Sequence, residues 1–292
     1  MTDLLKRLLS VILTLPLLVF LFSCSKSEET KETTGDGDVV WSPIEETDEA
    51  TSAVTESDSD PDSESGQESG DISPVLPEGD TAPLALMYHL VLDEPYSALE
   101  DLFVRPSELR GHIEALLEKG YTFIFADEYG YYDRKTVIMS FDDGYLDNYT
   151  EVFPIIKEYN VKITIFMISN YVGCPEYMTE DMLKEMASSG LVSIQSHTAT
   201  HPDLTTQTEE SLIREFETSN EALEAITGRK VRALCYPAGA YNDLVMSVAG
   251  NYYDFAYTTE SKASTAGYPA LALPRLRVHR GFAKEDFLSV IP

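Results

Sequence analysis

KTVIMSFDDGYLDNYTEVFPIIKEYNVKITIFMIS, residues 135–169, opens and closes on apolar runs of strand length. Between them, LDNYTEVFPIIKEYN reads as a helix interrupted by Pro154, because proline removes a helical hydrogen bond and crowds the preceding turn. KTVIMSF is a near-continuous apolar run and VKITIFMIS ends in one, so both faces of each strand should be covered. That pattern belongs to a parallel sheet with helices packed against it.

The same unit recurs outward along the chain. Upstream stand a strand in APLALMYHLV (82–91), a helix in PSELRGHIEALLEKG (106–120) and a strand in YTFIF (121–125). Ser107 is the expected N-cap of that helix and Gly120 its terminator. Downstream, TEDMLKEMASSG (179–190) is a capped amphipathic helix, LVSIQSH (191–197) a strand, and TEESLIREFETSNEALEAITG (208–228) a long helix. VRALCYP (231–237) and FAYTT (255–259) are strands separated by a helix from about Asn242, and KEDFLSVI (284–291) is a last helix. About seven such units in roughly 210 residues fit a barrel better than an open sheet. Function in such folds gathers at the C-terminal ends of the strands.

Residues 1–80 follow other rules. Lys6 and Arg7 precede the apolar run LLSVILTLPLLVFLFSC (8–24), the layout of an export signal. LFSC (21–24) resembles a bacterial lipobox, which implies signal removal (1–23) and a diacylated Cys24 on the outer face of a membrane. An ordinary secretory signal or an uncleaved anchor are the alternatives. Residues 25–80 hold 18 acidic and 2 basic residues, a net of −16 out of −29 for the chain. So polar a segment buries too little surface to offset chain entropy. It reads as a disordered acidic linker (24–80, with the lipidated cysteine) ahead of a folded region, 81–292. The charge balance also argues against a nucleic-acid partner, which needs clustered Lys and Arg. Cys174 and Cys235 could form one disulfide, and the sequence leaves their pairing open.

Three strand ends carry the polar residues suited to chemistry: His89 after PLALMY, Asp142 and Asp143 after TVIMSF, and His197 with His201 in SHTATH. Neutral imidazoles and a carboxylate suit a divalent cation such as Zn2+, and three protein ligands leave positions for water and substrate. An aspartate near its ordinary pKa is a poor base for bulk water, but it serves beside water acidified by a metal. The two aspartates can therefore differ in role. Gly144 permits the turn that sets them apart.

In this order and on this strand pattern, SFDDG, SHTATH and CYPAGAY resemble the polysaccharide deacetylases with a NodB homology domain, carbohydrate esterase family 4. The resemblance spans about Pro83 to Phe287. It implies an α/β fold, a distorted (β/α) barrel of about seven parallel strands. It also implies metal-dependent removal of acetyl groups, with metal-bound water as nucleophile, Asp142 as general base and Asp143, His197 and His201 as ligands. LMYHLV is similar to the poly-N-acetylglucosamine deacetylase branch, which implies that His89 is the general acid. Two departures stand out. Cys235 occupies the position of the arginine that orients the base, so Arg275 in LPRLRV is the expected substitute, guanidinium being suited to carboxylate. The Asp-x-x-Asp-Trp acetyl pocket is missing, leaving Leu90 or an aromatic from another loop to close it. Oxyanion stabilisation is expected from the metal and a backbone N–H within Tyr236–Ala240. The expected activity is hydrolytic deacetylation of an N-acetylated cell-envelope or extracellular polysaccharide, with the enzyme lipid-anchored outside the cell. The competing reading is a glycan-binding or envelope-assembly protein that keeps the fold without catalysis.

Overall fold

The computed structural model describes residues 79–94 and 102–292; the expected signal, Cys24 and linker lie outside the described residues. Strands Leu84–Tyr88 (β1), Leu90–Val91 (β2) and Phe103–Val104 (β3) come first, followed by helix Pro106–Glu118 (α1) and strand Thr122–Ile124 (β4). Thr136–Asp143 (β5), Phe153–Tyr159 (α2), Ile163–Met167 (β6), Glu180–Ser188 (α3), Val192–Ser196 (β7) and Glu209–Thr227 (α4) form the middle. Ala233–Cys235 (β8), Asp243–Ala249 (α5), Phe255–Tyr257 (β9), Leu276–Arg277 (β10) and Lys284–Val290 (α6) complete it.

Seven strands run in the order β10-β1-β5-β6-β7-β8-β9, every neighbouring pair parallel. The sheet curls until its edges nearly meet. Tyr257 of β9 bridges to Leu273, and three residues later Leu276 pairs with Leu86 of β1. A single segment thus spans the gap in an incompletely closed barrel.

The membership of the seven differs from the sequence expectation. YTFIF supplies β4, which lies off this path. β1 occupies one edge of β5 along residues 137–141, while β4 pairs with residues 136–138 and β6 with residues 140–143. A strand has two edges, so β4 and β6 share the other, end to end. The seventh place belongs to β10, whose two residues are too few to show a period.

Strand side chains alternate between faces, and the two apolar clusters follow that alternation. Val137, Met139 and Phe141 of β5, with Ile163, Ile165 and Met167 of β6, pack outward against the helices. Ile138, Phe166, Ala233, Cys235, Phe255 and Tyr257 fill the interior. On β5 the inward row continues from Ile138 to Ser140 and Asp142. The barrel core therefore runs straight up into the site.

Helix ends follow their expected chemistry with one exception. Thr179, Thr208 and Asn242 cap α3, α4 and α5 by accepting from backbone N–H groups. Ser107, the expected cap of α1, instead sits inside the first turn. The helix starts at Pro106, and Glu108 accepts from the Arg105 N–H at 2.8 Å. Proline at the first helical position is favoured because its missing N–H has no partner there anyway. α6 packs on α1, where the His112 ring stacks on Phe287 at 4.3 Å.

Candidate active site

At its C-terminal end β5 turns sharply. Asp143 has φ 72°, and the Gly144 N–H donates back to Asp142 O at 2.9 Å. A bond from residue i+2 to residue i around a positive φ is a γ-turn of the rarer, strained kind. Alternation alone would point Asp143 to the outer face of the sheet; the turn brings its carboxylate to the mouth, beside His197 and His201. Gly144 follows with φ +85°, and a Cβ there would collide with Met167 Sδ. Glycine is required on both counts.

Asp142 stays on the inward row, 2% exposed. Arg275, fully buried, clasps it with both ends of its guanidinium: Nη1 donates to Oδ1 at 2.6 Å and Nη2 to Oδ2 at 2.7 Å. Arg275 is itself fixed by Nε donating to Thr258 O at 3.1 Å and Nη1 donating to Ser140 Oγ at 2.9 Å. Cys235, a buried free thiol that forms no bond with Cys174, lies beside the pair, with Sγ 3.5 Å from Asp142 Oδ2. Burial pushes the Asp142 carboxyl up, but the charge and hydrogen bonds of Arg275 outweigh it and hold the group well below the usual carboxylate range.

Asp143, His197 and His201 form the second half. His197 Nε2 stands 3.4 Å and His201 Nε2 3.8 Å from Asp143 Oδ1. All three donor atoms lie within 4.8 Å of one another. His197 Nδ1 is 2.7 Å from Cys235 O. A carbonyl only accepts, so Nδ1 carries the proton and Nε2 presents its lone pair to the cluster. Such an outer bond is what orients a metal-ligating imidazole. Burial and the neighbouring His197 lower the proton affinity of His201. Burial also works against a charge on His197, yet Cys235 and the carboxylates pull its pKa upward. Both imidazoles face the Asp143 carboxylate. The residues fit a divalent cation.

Asp142, His197 and Cys235 also lie within ligand distance of one another. That set fits a cation poorly, because both Asp142 oxygens already accept from Arg275 and the guanidinium would repel it.

The loop carrying the histidines is held from below. Glu215 of α4 accepts from the N–H groups of Ala199 and Thr200 at 3.0 and 2.9 Å and from Thr200 Oγ1 at 2.6 Å. Thr198 and His201 have positive φ, 68° and 60°, so the clamp holds a backbone that would otherwise relax. The sequence reading did not single out Glu215; on a helix face it reads as one more solvated acid.

His89 lies just past β1, with Nε2 3.9 Å from Asp142 Oδ2. Burial lowers its imidazole below the ordinary histidine value, against the upward pull of Asp142 and Asp143. His112 is fully buried, between Tyr88 Oη at 3.2 Å and Phe282 O at 2.6 Å, and His279 is exposed; neither joins the site.

These groups share a cavity of about 410 Å³. One wall is aromatic and comes from the loops after β5 and β6: Tyr145 stacks on Tyr177 at 5.2 Å and Tyr171 meets Tyr177 edge-on at 4.9 Å. Leu102 and Ile168 also line the cavity, whereas Leu90, an expected pocket residue, is absent from the lining and lies in the core. Within Tyr236–Ala240, the N–H groups of Tyr236, Gly239 and Ala240 already donate to Tyr257 O, Tyr236 O and Pro237 O. Pro237 has no N–H. Ala238, on the cavity wall with φ 52°, is the donor left over.

Parallel strands curled into a barrel, with paired aspartates and two histidines at its mouth, define a class of hydrolase. The chain belongs to the polysaccharide deacetylase family, whose family model matches residues 130–253. YxkH of Bacillus subtilis, assigned to the polysaccharide deacetylases, is 32% identical over 214 residues, covering 70% of this chain and 75% of its own. The poly-β-1,6-N-acetyl-D-glucosamine N-deacetylase of Staphylococcus aureus (MRSA252) is 26% identical over 232 residues, 68% of this chain and 79% of that one. Among solved structures, the Streptococcus pyogenes deacetylase PplD in complex with acetate superposes with a TM-score of 0.68 at 27% identity, covering 73% of this chain and 99% of that one.

Proposed function

We propose that this polysaccharide deacetylase removes N-acetyl groups from an N-acetylglucosamine-containing glycan with the help of a divalent cation, zinc first among candidates, held by Asp143, His197 and His201. The convergence of those donors beside the clasped carboxylate of Asp142 carries this reading. When bound, the cation supplies Lewis acidity, which polarises an acyl oxygen and acidifies water.

The chain's own residues supply the rest. Asp142, aimed by Arg275, takes the proton of the attacking water as the C–O bond forms. The Ala238 N–H donates to the oxygen that gains charge. His89 delivers a proton to the nitrogen as the C–N bond breaks, releasing acetate and a free amine. The tyrosine wall offers ring faces to the apolar face of a sugar. The lipobox-like LFSC and the acidic linker support a lipid-anchored enzyme working outside the cytoplasmic membrane, on envelope or extracellular glycan.

Acetate release from N-acetylglucosamine oligomers by the full chain tests this. Activity should vanish with chelator and return with zinc. Asp142→Asn should lower turnover by a factor on the order of 10²–10⁴, the usual share of a general base. Glycan binding without acetate release under any divalent cation would make the protein a glycan-binding member of the family.

A further inference from the structure

The chain has 50 acidic and 21 basic residues, yet residues 261–284 contain five Lys or Arg and no Asp or Glu. This stretch leads into β10 and the adjoining wall of the cavity. Carboxylates answer three of the five cations: Arg275 faces Asp142, Lys262 faces Glu260, and Lys284 faces Glu114 and Glu118. Arg277 and Arg280 have no acidic partner among the described residues. Arg280 rests over the ring of Phe103, 5.2 Å from its centroid.

That leaves Arg277, exposed and on the cavity wall with His89, His197 and Thr259. Its backbone is anchored by pairing with Met87 and by its N–H donating to Ser261 Oγ at 3.3 Å. Alternation puts it on the same face as Arg275, one step nearer the mouth. Arg275 is taken by Asp142; among the described residues no carboxylate takes Arg277. An exposed cation adds little to stability even when paired, so folding does not explain it. Its planar fork matches a carboxylate or phosphate. In so acidic a chain, long-range charge would repel a polyanion, and a local guanidinium is what could hold one.

We propose that Arg277 binds an anionic substituent, carboxylate or phosphate, on the N-acetylated glycan whose acetamido group meets Asp142 and Asp143. This rests on the deacetylase reading and narrows its substrate to acidic glycans.

Three probes separate the sources: glycan strands containing N-acetylmuramic acid, phosphorylated N-acetylglucosamine oligomers, and neutral N-acetylglucosamine oligomers. Acetate release is measured for the wild type, Arg277→Gln and Arg277→Lys, and probe binding is measured by calorimetry in an Asp142→Asn background. The wild type should prefer at least one acidic probe, and the preferred one identifies carboxylate or phosphate. Arg277→Gln should cut the acidic-to-neutral ratio of kcat/KM about tenfold, mostly through KM, as expected for one charge-assisted contact. Arg277→Lys should restore part of it. An unchanged ratio in Arg277→Gln, or a wild-type preference for neutral oligomers, overturns the proposal. Arg277-dependent binding of an acidic probe without acetate release from any probe would instead sink the deacetylase reading and leave only an anionic-glycan site at Arg277.

Discussion

At the scale of single residues, the decisive contact is Arg275 on Asp142. Removing one partner of a buried ion pair leaves the other uncompensated, at a cost of about 3–5 kcal/mol. Arg275→Ala should therefore lose about that much stability at neutral pH in denaturant titration, and turnover with it, while cation content stays near the wild type. The pH dependence has a definite sign. The wild-type carboxyl is depressed, so its stabilisation is present above the unfolded value of about 3.9 and is lost as pH falls toward the folded one. In the variant, burial raises the same carboxyl, and protonation relieves the strain. The gap between the two proteins should shrink on acidification; a gap that widens would mean Arg275 does not neutralise Asp142. Asp142, Asp143, His197 and His201 could all be read from the sequence because they sit in contiguous motifs. Arg275 was inferred only because Cys235 left a vacancy in one such motif. Ala238, proposed above as a backbone donor, sends no side-chain signal at all.

At the scale of elements, each strand's alternation decides what its last residue faces. β5 places Ser140 and Asp142 inward, and a γ-turn then redirects Asp143. From sequence the need for divergence was plain, and Gly144 marked the turn. That Asp143 itself takes the left-handed φ was not legible, since aspartate carries no such requirement. Likewise β10 escaped notice: two residues set no period, and only its neighbours in space make it a strand. α4 contributes through Glu215, whose three bonds tie the SHTATH loop to the helix. Glu215→Ala should keep the fold yet weaken cation binding about tenfold or more, as losses outside the ligand shell usually do. Competition titration with a chromophoric chelator would read this, and unchanged affinity would show that the loop holds its shape alone.

At the scale of the whole molecule, the three proposed ligands join the end of β5 to the loop after β7. Any cation they share stabilises the native barrel over the unfolded chain. At a hundredfold excess over Kd the gain is about 2.7 kcal/mol, worth several degrees of melting temperature for a domain of this size. Zinc should raise the melting point of the wild type and not that of Asp143→Asn, measured by scanning calorimetry. Equal shifts would place the cation elsewhere. The architecture was legible because the long strands, rich in apolar residues, are buried along their whole length, whereas its near-closure depends on the Leu273–Arg277 segment alone. That segment brings Arg275 to an aspartate 133 residues earlier in the chain. The same five residues thus close the sheet, through Leu273 and Leu276, and answer the buried charge of Asp142, through Arg275. A chain cut short before them would lose the seam and the clasp together, so this barrel cannot give up one and keep the other.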